Sequence, residues 1–170
     1  MEISNSAAES IPISMQSNPG TYTLILSSIV KKPVKIGNLG TLFLKPGFYV
    51  YIGSAFGPGG LKARISHHLK NSSRPHWHID YVGPTLRLYQ IWYTYDPTRR
   101  EHQWADIHAG TRGASIPLPG FGSSDCGCPS HLFFYQSPPS GNRFRRKIKS
   151  RIGDHAKFLI EKSKNFLTNS

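Results

Sequence analysis

Acidic residues and cysteine are both scarce in this 170-residue chain: nine Asp and Glu stand against 21 Lys and Arg, and there are two cysteines, Cys126 and Cys128. Two cysteines one residue apart exclude a disulfide framework, and cysteine this sparse makes the cytoplasm the expected compartment. Long apolar runs are missing as well. The longest, residues 23–29 and 89–95, fall far short of the ~20 residues that a membrane-spanning helix needs, so no membrane partner is expected. Residues 1–19 contain Glu2 and Glu9 but no Lys, no Arg and no apolar core, which does not read as a secretory leader. The chain also offers no glycine-rich nucleotide loop and no serine-based nucleophile set.

What remains is strongly basic. The formal charge is +12, with residues 1–19 contributing −2 and residues 20–140 and 141–170 contributing +7 each. Core and tail are thus independently cationic, which points to a polyanionic partner, nucleic acid before membrane. Residues 1–19, rich in Ser, Pro and Asn, read as a flexible segment.

Patterning then divides the chain. Residues 22–29, 34–36, 40–44 and 48–53 carry strand-like alternation broken at Gly37-Asn38 and Pro46-Gly47, both turn signals. After Pro58-Gly59-Gly60, the residues Leu61, Ile65 and Leu69 recur at four, as one face of a helix does. Arg64 and His68 share a neighbouring face at the same spacing. Residues 77–82 read as a connector, 86–95 as a central strand, and 98–108 as a second helix opened by Thr98 and Glu101 in capping-box spacing. A Gly-, Pro- and Ser-rich loop covers 110–130, a short strand follows at 131–135, and a basic, partly helical tail spans 139–170, with Phe144, Ile148 and Ile152 at a spacing of four and Phe158 with residues 161–164 continuing the helical pattern. The expectation is an α+β protein, a small and mostly antiparallel sheet flanked by helices. Its domain would occupy residues 20–138.

Two short motifs stand out, Gly20-Thr21-Tyr22 and Tyr49-Val50-Tyr51-Ile52-Gly53. By themselves they are ordinary strand aromatics, and Tyr49 competes with Tyr51 because both point to one face. Glu101 has its own plain reading as a helix cap, and Arg64 as a solvated helix residue. Together, two phenols, a guanidinium, the His68 imidazole and a carboxylate suit work on a phosphodiester. Arg meets phosphate with a two-pronged fork, and a lone carboxylate suits a hard cation that keeps most of its waters. Lys62, Lys70 and Arg74, on or just after the first helix, would attract neighbouring phosphates.

The ordered series Gly20-Thr21-Tyr22, Tyr51-Ile52-Gly53, Arg64 and Glu101 resembles the GIY-YIG nuclease superfamily. The loop Phe121-Gly122-Ser123-Ser124-Asp125-Cys126-Gly127-Cys128 with Ser130-His131-Leu132-Phe133 is similar to a small prokaryotic branch of it, found alone or fused to endonuclease III-type glycosylases. The resemblance implies a metal-dependent endonuclease acting on DNA, in DNA repair where a glycosylase is the partner. It places Tyr22 and Tyr51 at the attacking water, Arg64 on the scissile phosphate, and Mg²⁺ or Mn²⁺ on Glu101, with His68 assisting. Thr21 departs from the family's isoleucine. The rival reading is a nucleic-acid-binding module that keeps the fold without cleavage. Cys126, Cys128 and His131 can be read as three zinc ligands, but the gap is tighter than usual, and a fourth from Asp125, His78 or His76 could join only through folding. The sequence therefore weighs against structural zinc there.

Overall fold

The strand alternation resolves into a five-stranded, fully antiparallel sheet in a computed structural model that describes residues 15–70 and 74–163. Strands β1 (Gly20–Ser28), β4 (Gly47–Ala55), β5 (Arg87–Thr94), β6 (Leu132–Tyr135) and β7 (Leu159–Lys162) lie in the order β6-β4-β1-β5-β7. Between β1 and β4 the chain makes a separate two-stranded hairpin, β2 (Lys32–Ile36) and β3 (Gly40–Leu44). Three helices, α1 (Gly60–Leu69), α2 (Glu101–Ala109) and α3 (Gly141–Arg151), complete the α+β architecture.

Period-two alternation sorts the central strands into two cores. Tyr22, Leu24, Tyr49 and Tyr51 face α1 and the hairpin, where they join Leu61, Ile65 and Leu42. Their sequence neighbours Ile25, Val50, Ile52 and Trp92 face the other way and join Trp104, Ile107, Phe144 and Ile148 from α2 and α3. A sheet apolar on both faces must be covered twice, and the three helices with the hairpin do this.

The two tyrosine motifs are paired to each other. In the β1–β4 register Tyr22 stands opposite Gly53, and Gly20 opposite Ala55. The Tyr22 ring crosses Gly53 so closely that a Cβ there would lie 2.5 Å from its hydroxyl oxygen, and one on Gly20 would lie 2.1 Å from the Thr94 carbonyl. Both glycines are thus demanded by close approach rather than by turn geometry.

Helix α1 follows the expected spacing, burying Leu61 and Ile65. Its start is tied to residues 15–19, where the Asn18 carbonyl accepts the Leu61 N–H at 3.0 Å, Met15 is buried, and the Gln16 N–H donates to the Tyr95 hydroxyl. This short stretch is therefore part of the packed structure, while the rest of the segment read as flexible, residues 1–14, lies outside the described residues.

Helix α2 departs from its expected start. It begins at Glu101, not Thr98, and has no side-chain cap of its own. Asp96 takes the Thr98 N–H in a local turn at 2.8 Å, and the Thr21 hydroxyl accepts the Arg100 N–H at 3.0 Å. A tertiary cap from β1 thus replaces the local capping box, which releases Glu101 from the capping role and gives Thr21 a task isoleucine could not perform. A buried Asp96–Arg100 ion pair at 3.0 Å holds the same corner.

The basic C-terminal stretch is integrated into the fold. Ser140 caps α3 by accepting the Arg143 N–H, Phe144 and Ile148 are buried against the sheet, and β7 pairs with β5 from Leu159↔Tyr93 to Lys162↔Gln90. The helix-like spacing of Phe158 and Glu161 is misleading here, because β5 offers an open edge that residues 159–162 complete.

Candidate functional site

Helix α1 brings Arg64 and His68 over the paired tyrosines. The His68 side chain is 2% exposed, and its Nε2 lies 2.6 Å from the Tyr22 hydroxyl. On the other side of the ring, His68 Nδ1 stands 3.4 Å from Oδ1 of Asp80. Asp80 itself is held by the backbone N–H groups of His76 and Trp77, both at 2.9 Å, and by His67 at 3.3 Å. A carboxylate only accepts hydrogen bonds, so His68 carries its proton on Nδ1 and offers the Nε2 lone pair to Tyr22. The result is a linear chain, Asp80–His68–Tyr22, buried against the sheet.

Tyr51 completes the cluster. Its ring centroid lies 6.4 Å from that of Tyr22, 5.9 Å from His68 and 6.2 Å from Phe121. Tyr49, the competing tyrosine, is committed elsewhere: its hydroxyl accepts the Lys45 N–H at 3.0 Å and its ring packs on Phe134. Arg64 donates to the Ser54 carbonyl at 3.0 Å, and its guanidinium lies 4.4 Å over the Trp77 ring. That posture leaves further N–H groups for an incoming anion. Lys62, Lys70 and Arg74 are exposed around this helix and its end.

Electrostatics follow from burial. Both phenols are pushed well above the ordinary value of 10.0, first by desolvation; their mutual proximity raises Tyr22 further, and the Glu101 charge raises both, while Arg64 pulls both down. His68 is lowered from 6.5, again mainly by burial, with Asp80 offsetting part of the shift. Partial burial pushes the Asp80 carboxyl up, but hydrogen bonds from His68, Trp77, His76 and His67 outweigh it and hold Asp80 well below 3.8. At neutral pH the chain therefore rests as carboxylate, neutral imidazole and neutral phenol.

Glu101, first residue of α2, reaches the same region, since its charge is felt by both tyrosines. Its side chain is 15% exposed, yet the basic side chains nearest it among the described residues stand off: Arg99 and His102 at 3.7 Å and His131 at 3.9 Å. A mostly buried carboxylate with no partner at hydrogen-bond distance in these pairs is a fitting ligand for a hard divalent cation that keeps most of its waters. The residues present fit Mg²⁺ or Mn²⁺.

Beyond Glu101 the loop read from sequence as a weak zinc candidate gains a member. His102, Cys126, Cys128 and His131 place ligand atoms within 4.8 Å of one another. The fourth residue comes from α2, not from Asp125, His76 or His78; His78 instead accepts the Gly122 N–H at 2.8 Å. Asp80, which its alternation with His76 and His78 around Trp77 and Ile79 places only at the rim of the site or against the sheet, stands directly behind His68. Its signal was the stretch His76-Trp77-His78-Ile79-Asp80, where an aspartate three residues after Trp77 can accept the N–H groups of a short helical turn; His102 carried no signal beyond its place after Glu101.

The family model described as a domain of unknown function, DUF123, matches residues 21–164. No curated protein and no solved structure matches the chain. The chain belongs to the DUF123 family.

Proposed function

We propose that this DUF123-family protein, whose membership by itself assigns no activity, is a metal-dependent endonuclease of GIY-YIG type that hydrolyses DNA phosphodiester bonds. The observation that carries the reading is the convergence of Tyr22 from β1, Tyr51 from β4, Arg64 and His68 from α1 and Glu101 from α2 on one site, with Asp80 behind His68.

The attacking water sits at the Tyr22 hydroxyl. A phenolate there would be a buried anion, which the raised Tyr22 value disfavours. The chain avoids it by relay: the phenol oxygen takes the water's proton as its own proton passes to His68 Nε2, where neutral imidazole is ready. Asp80 stabilises the imidazolium that forms, as an orienting carboxylate does in a hydrolytic triad. Tyr51 orients the water from the neighbouring register position. Arg64, steadied by Ser54 and Trp77, grips a non-bridging phosphate oxygen and neutralises charge as it develops. Glu101 would hold the divalent cation, which when bound supplies charge stabilisation at the leaving oxygen. Lys62, Lys70 and Arg74 draw the flanking phosphates, so binding weakens steeply with salt.

A plasmid-nicking assay with Mg²⁺ or Mn²⁺ tests this. The wild type is expected to nick, and Glu101→Ala and Arg64→Ala each to lose ~10²-fold or more, as removal of a preorganised charge-stabilising group does. DNA binding with no metal-dependent cleavage at any pH would leave the binding-module reading in its place. Loss of binding even at low salt would remove both.

A further inference from the structure

We infer that His102, Cys126, Cys128 and His131 form a tetrahedral zinc site that fastens the 110–130 loop to α2 and to the start of β6. The donor set is the first ground. Two thiolates and two imidazoles are the soft and borderline ligands that zinc takes in closed structural sites, and no carboxylate or carbonyl cage for a harder ion is among them.

Geometry is the second. Zinc bonds of ~2.3 Å to sulfur and ~2.0–2.1 Å to nitrogen at a tetrahedral angle separate neighbouring ligand atoms by about 3.4–3.8 Å. Cys126 Sγ and His131 Nε2 lie 3.5 Å apart, and all four ligand atoms fall within 4.8 Å of one another. Small side-chain adjustments at two half-exposed cysteines and an exposed histidine close the remainder.

The third ground is the far side of the His131 ring. With Nε2 turned to the cysteines, Nδ1 faces Oε2 of Glu101 at 3.9 Å. At that separation no hydrogen bond forms, but the nearby carboxylate favours a proton on Nδ1 and so leaves Nε2 free for a metal. The close Cys-Gly-Cys spacing, an objection when a single loop must supply every ligand, loses its force once α2 supplies the fourth, with His131 placed just before β6. Zinc binding then ties α2 to a loop that is already joined to β6 by the Ser115–Phe134 bridge and by the His131 N–H to the Phe121 carbonyl. Glu101, adjacent to His102, is positioned from one side by this knot and from the other by the Thr21 cap.

The test is metal analysis of the full chain purified without chelator, with cobalt exchange as a second readout. One zinc per chain is expected, and Co²⁺ replacing it should give the intense visible bands of a tetrahedral site with thiolate ligands. Cys126→Ser/Cys128→Ser should fall to no bound zinc. His102→Ala, an exposed position whose change leaves the core intact, should lose at least tenfold in zinc affinity, and His102→Cys should restore it. Substoichiometric zinc with no cobalt spectrum, a different resident metal, or zinc held equally well by His102→Ala would overturn the assignment. These readings are independent of DNA cleavage, so an inactive protein that holds zinc retains this site while losing the nuclease reading.

Discussion

Two buried histidines, each hydrogen-bonded to a tyrosine hydroxyl, lie on opposite faces of the sheet. His68 meets Tyr22 at 2.6 Å and His108 meets Tyr135 at 2.8 Å. What separates them is the second ring nitrogen. His68 has Asp80 behind it and Arg64 beside the tyrosines. His108 Nε2 has no hydrogen-bond partner among the described residues, and its ring is stacked among Trp92, Phe133 and Phe144. A proton arriving on His68 makes an imidazolium that faces a carboxylate, whereas one arriving on His108 would be an isolated charge among aromatic rings. Burial lowers both, but His108 reaches about 3, while Asp80 offsets part of the shift at His68. A histidine–tyrosine pair is therefore a relay only where a third group takes the charge.

The widest break between the two should appear on removing each imidazole. His68→Ala is expected to lower cleavage ~10²–10⁴-fold, the span typical of a lost general base. His108→Phe, which fills the aromatic stack but takes the imidazole from the Tyr135 hydroxyl and leaves it the Thr111 side chain as partner, is expected to cost about 1 kcal/mol, to lower the melting temperature, and to leave the nicking rate of the folded protein within a few-fold. Equal losses of rate in the two variants would erase the distinction.

Asp80→Asn sharpens the comparison by making His68 resemble His108 without removing it. Oδ2 of Asp80 accepts two backbone N–H groups at 2.9 Å, so an asparagine must place its single oxygen there. Its amide NH₂ then faces His68 Nδ1, which forces the proton onto Nε2 and turns a donor toward Tyr22. The relay is blocked by tautomer, and a rate loss of about 10² is expected, a milder form of the triad case in which the same exchange traps the wrong tautomer. Rate measurements across pH on the same preparation check it, because a folding defect would change the active fraction and not the shape of the profile.

Much of the site-bearing face was legible in the sequence, because period two in β4 and period four in α1 are local signals. Tyr49 and Tyr51 alternate with Val50 and Ile52, and Leu61, Ile65, Arg64 and His68 fall on neighbouring faces of one helix. What was not legible depends on contacts made only by folding. The start of α2 is set by Thr21, 79 positions away from Arg100, so a local capping box was a reasonable reading with the wrong partner. Residues 159–162 carry a helical spacing but join the sheet because β5 has a free edge. Asp80 meets His67 and His68, and His102 meets Cys126, Cys128 and His131, only through the tertiary structure.

The smallest effect concerns stability and tests the aromatic-face histidine directly. Unfolded, His108 titrates near the ordinary 6.5; folded, its value is pushed down to about 3 by burial and by the neighbouring Lys147 charge. Between those two values the unfolded chain binds a proton that the folded chain refuses. Stability is therefore full above about pH 6.5 and falls as the pH drops toward 3, by up to ~1.4 kcal/mol per pH unit from this residue. His68, also lowered from 6.5, contributes in the same direction but over a narrower window, because Asp80 recovers part of the cost of charging it. Denaturant melts of the wild type and of His108→Phe/Tyr135→Phe, which removes the imidazole without stranding a hydroxyl, should show the double variant losing less stability between pH 6.5 and 4. His68→Phe should flatten the same limb to a smaller degree. If the order were reversed, the imidazole without a carboxylate would not be the costlier one to protonate, and the contrast between the two faces would have to be drawn on other grounds.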